Sequence, residues 1–166
     1  MSTTTTTTIS ALTATAPVPA EVAASAAHFL SPIVIDLEAL VVNGKQAHWH
    51  ARGANFIGVH ELLDEVVEHA QNYADTAAER IIALGLPVDS RIGTVAKKNT
   101  LPELPDGFRG WEDTVAEVVG QIDAVLATVR AAITGLDDDP ASQDVAVEIE
   151  RGLTKDRWLL QAHVSA

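Results

Sequence analysis

KQAHWHARGANFIGVHELLDEVVEHAQNYADTAAERIIALG, residues 45–85, closes one helix and writes a second almost in full. Gly53 and Asn55 break the chain after the first. From Phe56 onward apolar residues return at helical spacing as far as Leu84. Gly85 then supplies a stop and Pro87 stands just past it. On a wheel of about 100° per residue, Leu63, Val67, Ala70, Ala74 and Ile81 share one sector, the buried face. With His60 at zero, Asp64 falls at about 40°, Asp75 at about 60° and Glu79 at about 100°. These four form one stripe beside the buried face.

The pattern continues on both sides. A helix fits from about Ala20 to about Ala51, interrupted at Ser31-Pro32 by either a cap with its first helical residue or a kink. Residues 86–107 carry Pro, Gly and Asp throughout and read as a long connection with a short helix near Ile92–Lys97. A third long helix fits Arg109–Leu136, with Val115, Val119, Ile122, Val125, Leu126, Val129 and Ile133 in one stripe. Asp139-Pro140 suits the cap and first residue of a fourth helix reaching His163. No strand alternation or internal repeat is present. Four helices with a long second connection predict an all-α, ferritin-like bundle with one crossover, over residues 21–166. Residues 1–20 are Thr/Ala-rich and uncharged, and read as a flexible tail.

The stripe raises a question of reach. Asp64 and Asp75 lie about 16 Å apart at 1.5 Å rise per residue, whereas metal–oxygen bonds are about 2 Å. One helix cannot bring both to one ion. Two copies packed antiparallel can: His60 and Asp64 of one then face Asp75 and Glu79 of the other, and the two-fold makes two equivalent sites. His48, at the end of the preceding helix, can join the first set. Imidazole with carboxylate favours iron, and zinc or manganese also fit. Acids one turn apart are equally an ordinary solvated helix face. Glu68, at about 80°, lies inside the stripe; His50 lies about 200° round from His48, and His69 at about 180° from His60, both facing away. His28 and His163 have no partner pattern.

The 166 residues suffice for one domain with a core. Cysteine is absent, so disulfides and thiolate chemistry are excluded. The longest apolar run, IVIDLEALVV, carries two acids and is too short to span a bilayer. No basic segment precedes an apolar stretch at the N-terminus, so a secretory signal is not expected and a cytoplasmic location is. The net charge of −12 repels nucleic acid and anionic membranes and attracts cations.

Residues 45–85 resemble the signature of the Dps family, the mini-ferritins: K-x-A-H-W, then G-x-x-F-x-x-x-H-x-x-x-D, then D-x-x-A-E-R. KDRWLL, residues 155–160, resembles the family's last helix. The resemblance implies a hollow homo-dodecamer that oxidises Fe(II) with hydrogen peroxide, or oxygen, at sites shared between two-fold-related subunits. The ferric product is stored as mineral, which protects against oxidative stress. It implies His48, His60 and Asp64 as iron ligands from one subunit, Asp75 and Glu79 from its partner, and Trp49 as the tryptophan that handles one-electron intermediates. Asp137, Asp138, Asp139, Asp144 and Glu148 match the acidic region that lines three-fold pores in the family; acids there also suit a helix N-terminus. One departure is His50, where the family usually has Asn. Many members bind DNA through basic tails, but the first basic residue here is Lys45 and the C-terminal VSA has none, so tight DNA binding is not expected. Two other functions stay open: a metal-dependent amide hydrolase on the same scaffold, and a DNA-compacting protein.

Overall fold

The computed structural model describes residues 18–164. The tail expected over residues 1–20 therefore lies, through residue 17, outside the described residues. The helical periodicity resolves into α1 (Ala20–His50), α2 (Phe56–Ala83), a short α3 (Ile92–Lys98), α4 (Trp111–Gly135) and α5 (Pro140–Ala162). Two very short strands, β1 (Ala51–Arg52) and β2 (Arg109–Gly110), were not foreseen. They pair in parallel, Ala51 opposite Arg109 and Arg52 opposite Gly110, so α4 begins two residues later than its periodicity suggests.

That small bridge explains the long connection. α1 packs on α2 and α4, and α5 packs on the same two, so α2 and α4 stand at opposite corners. β1 joins α1 to α2, and β2 leads into α4. Pairing the strands puts the starts of α2 and α4 at the same end of the bundle. Both then run in the same direction, and the chain must return along the whole of α2, about 42 Å, before α4 can start. Gly53 makes the approach possible. It adopts φ 115°, and a Cβ there would lie 2.7 Å from Trp111 Cδ1.

The helix ends follow from the local sequence. At the end of α2, Gly85 takes φ 86° and its N–H bonds the Ile82 carbonyl at 2.9 Å, while Leu86 N–H reaches the Ile81 carbonyl at 3.3 Å. This is the paired closure that a glycine after a helix permits. Leu86 folds back onto the core. Asp139 caps α5: its carboxylate accepts from the Ser142 amide and hydroxyl, with Pro140 at the first turn. Ser31-Pro32 does not start or end a helix. α1 continues through Pro32, and the Ser31 hydroxyl bonds the Ala27 carbonyl at 2.6 Å.

α1 and α4 are long and apolar enough to cross a membrane by length and composition, although acids interrupt their apolar runs. In the bundle their apolar residues form the core: Leu30, Ile33, Leu37 and Leu40 of α1 meet Ile122, Leu126 and Val129 of α4, all buried.

Buried polar side chains fasten the returning connection. Asp36, 1% exposed on α1, accepts from Thr100 N (2.8 Å), Thr100 Oγ1 (2.9 Å) and Thr128 Oγ1 (2.7 Å). Gln121, buried on α4, accepts from Asn43 Nδ2 at 2.8 Å and donates to the Pro102 carbonyl. Replacing Asp36 with Ala leaves three donors unpaired. At about 1 kcal/mol each, Asp36→Ala should lower unfolding stability by about 3 kcal/mol in urea titration, with Asp36→Asn milder. A loss below about 1 kcal/mol would show that the crossover is held elsewhere.

Candidate metal centre

The end of α1 and the first turns of α2 meet through two imidazoles. His48 Nδ1 lies 2.8 Å from the His60 carbonyl, and His60 Nδ1 lies 3.0 Å from the His48 carbonyl. The rings stack, centroids 3.6 Å apart and planes 22° from parallel. A carbonyl only accepts, so each Nδ1 carries the proton in the neutral ring. Each Nε2 then keeps the lone pair that a metal requires. Phe56, one turn before His60, tilts against its ring at 5.0 Å. His48 is buried and His60 half-buried.

Asp64 stands one turn beyond His60, with Oδ1 3.2 Å from His48 Nδ1 and only 2.6 Å from Lys45 Nζ. The Lys45 hydrogen bond holds the Asp64 carboxyl below the ordinary aspartate range; partial burial opposes it, and the charges of His48, Lys45 and His60 support it. Lys45 thus sits on the carboxylate as a cation would. It also lies 5.9 Å from the ring centroid of Trp49, whose side chain is 60% exposed. The sequence reading missed Lys45. Its signal was a lysine one turn before Trp49, on the helix that ends beside the acids.

Asp75, Glu79 and Glu68 are exposed and make no hydrogen bond or ion pair with the described residues. Asp75 borders a groove between α1, α2 and the crossover, lined also by Val34, Glu38, Asn72, Ala78 and Ser90. No group of three or more His, Cys, Asp or Glu among the described residues of this one chain is arranged to hold a metal. The structure therefore brings His48, His60 and Asp64 together, and leaves Asp75 and Glu79 on the same helix facing outward and apart from them.

The other positions resolve individually. His50 lies against Phe108, edge to face at 5.6 Å, and accepts from Gln46 Nε2 at 3.2 Å. Arg52 covers Phe108 from 3.9 Å. His163 accepts from Asn55 Nδ2 at 2.8 Å, tying the end of α5 to the cap of α2. His28 meets Phe29 edge to face. Among the five acids near α5, Asp137, Asp138, Asp144 and Glu148 are exposed. Asp139 is buried, 3.0 Å from Arg80 Nη2, and committed to capping the helix.

Replacing Lys45 with Met removes the dominant cause of the Asp64 shift. Carboxyl NMR of selectively labelled Asp should place the Asp64 midpoint below the ordinary aspartate value in the wild type and raise it in Lys45→Met. An unchanged midpoint would mean that Lys45 does not hold Asp64 in solution.

Comparison with known proteins agrees with this architecture. The ferritin-like domain family matches residues 36–166. The DNA protection during starvation protein of Agrobacterium fabrum is 37% identical over 133 residues, covering 79% of this chain and 80% of its own length. The structure of Dps from Microbacterium arborescens in the high iron form is 60% identical, with TM-score 0.86, covering 89% of this chain and 97% of that one. Mycobacterium smegmatis Dps superposes with TM-score 0.85 at 30% identity, over 90% and 93% of the two chains. The chain belongs to the Dps family of ferritin-like proteins.

Proposed function

We propose that this chain is a ferroxidase whose substrate iron binds between two copies. His48, His60 and Asp64 come from one copy, and Asp75 and Glu79 from the other. The observation that carries this is the division of one donor stripe into two incomplete halves on α2. Each half lacks what the other has, and the described residues of one chain assemble no complete set. An antiparallel two-fold brings the halves together twice. Trp49, Ile57 and Ile82, each more than half exposed on α1 and α2, supply apolar surface for such a contact. The Microbacterium arborescens relative, 60% identical, is described in a high iron form.

The donor set suits Fe(II). Two imidazole nitrogens with preset lone pairs and three carboxylates form a mixed, oxygen-rich shell. The carboxylates neutralise charge and favour the higher charge of the ferric product. Lys45 leaves Asp64 as iron arrives and restores positive charge there when iron departs. Hydrogen peroxide is the oxidant: it takes one electron from each of two Fe(II) ions and two protons, its O–O bond breaks, and two waters form. Oxygen can serve in its place. Trp49, exposed beside the site, accepts stray one-electron oxidising equivalents.

Twelve chains close into a hollow cytoplasmic shell that stores the ferric product and removes Fe(II) and peroxide together. Asp137, Asp138, Asp144 and Glu148, exposed around the start of α5, form the cation-attracting entry when repeated about a three-fold. Asp139 anchors that turn to Arg80 rather than facing the passage. The relatives' name refers to DNA, but a net charge of −12 opposes phosphate binding. No observation favours the amide hydrolase.

Anaerobic stopped-flow oxidation of Fe(II) by peroxide, with sizing of the particle, tests the proposal. Losing two direct ligands in His60→Ala/Asp64→Ala should cost more than the about 10–100-fold typical of an outer-shell change, in a particle still of about twelve chains. Equal rates in an intact particle would remove the ferroxidase assignment.

A further inference from the structure

On α5 the apolar stripe Ile149, Leu153, Leu160 is interrupted by one acid, Asp156, which is 1% exposed. Its side-chain partner is His69 of α2. Nδ1 lies 3.0 Å from Oδ1 and 3.1 Å from Oδ2. Burial pushes the Asp156 carboxyl up, and the His69 charge and hydrogen bond pull it back. A carboxylate only accepts, so Nδ1 carries the proton and Nε2 keeps its lone pair, on a side chain that is 40% exposed. A carboxylate orienting an imidazole in this way fixes its ring and tautomer, the arrangement found behind metal-bound histidines.

The surroundings are acidic. Glu65 is exposed one turn before His69 on the same face of α2. The Glu65 charge also acts on Asp156, the partner of His69. Glu148 of α5 is exposed nearby and acts on Tyr73, whose ring lies 6.3 Å from that of His69. The Tyr73 hydroxyl rests over Gly152, where any Cβ would collide with it. Lys155 is the cation that acts on Asp156 from α5, and it is exposed.

We propose that His69 Nε2 and the Glu65 carboxylate form a second cation site, oriented by Asp156 and selective for a borderline divalent metal of the Zn(II) or Fe(II) class. Two protein donors leave the remaining positions to water, so the site is open and exchanging rather than a closed structural one. It lies on the side of α2 opposite His60 and does not depend on the ferroxidase reading.

Titration calorimetry with Zn(II) on the assembled His60→Ala/Asp64→Ala/Asp75→Asn/Glu79→Gln protein leaves only His48 of the first site and so separates the two. One saturable equivalent per chain is expected. Asp156→Asn should weaken it about 10–100-fold, and His69→Gln should abolish it. Because both changes disturb a buried pair, Glu65→Gln is the decisive variant. It leaves His69 and Asp156 intact and should weaken binding by at least about tenfold. Absence of that equivalent, or binding equally tight in Glu65→Gln, overturns the proposal.

Discussion

His48 and His60 each give their Nδ1 proton to the other residue's carbonyl, and this reciprocal clasp fixes how α1 turns into α2. It satisfies the His48 carbonyl, one of the last four of α1 and so without an intrahelical partner. It also sets both rings in one tautomer and stacks them. The α1–α2 pair is the most extensive helix contact in the molecule, and its register carries Asp64 to His48 and Lys45. β1 leaves from the same corner, so the bridge to β2, and with it the direction of α4, depends on the same junction.

The arrangement of charge follows from that junction. The Lys45 ammonium compensates Asp64 within the chain, while Asp75 and Glu79 have no described partner. A surface of net charge −12 tolerates exposed acids readily, so their exposure alone says little. Their position does: they share a face with His60 and Asp64 but lie beyond reach along the axis. A contact between copies that joins the two halves uses both the rigid clasp and the free acids.

Much of this was legible in the sequence because it is periodic or local. The buried face of α2, from Leu63 to Ile81, follows from 3.6-residue spacing, as do the donor stripe, the stop at Gly85 and the cap at Asp139. What was hidden depends on residues far apart in the chain. Asp36 meets Thr100 and Thr128 across 64 and 92 positions, and His69 meets Asp156 across 87. No periodicity encodes such pairs, although an acid within the apolar stripe of α5 was a trace of the second. The strands β1 and β2 are two residues each, too short to alternate. Ser31-Pro32 read as either a cap or a kink, and the continuous apolar face of α1 carries the helix through it.

The shared centre is tested most directly by mixing two inactive chains. One carries His60→Ala/Asp64→Ala and the other Asp75→Asn/Glu79→Gln, and the two are unfolded and reassembled together. If each site takes one half from each copy, every mixed pair has one site with both changes and one with neither. Random pairing then restores about a quarter of wild-type Fe(II) oxidation from two silent parents. A mixture of the same particle size that stays as inactive as its parents would contradict a site built between copies.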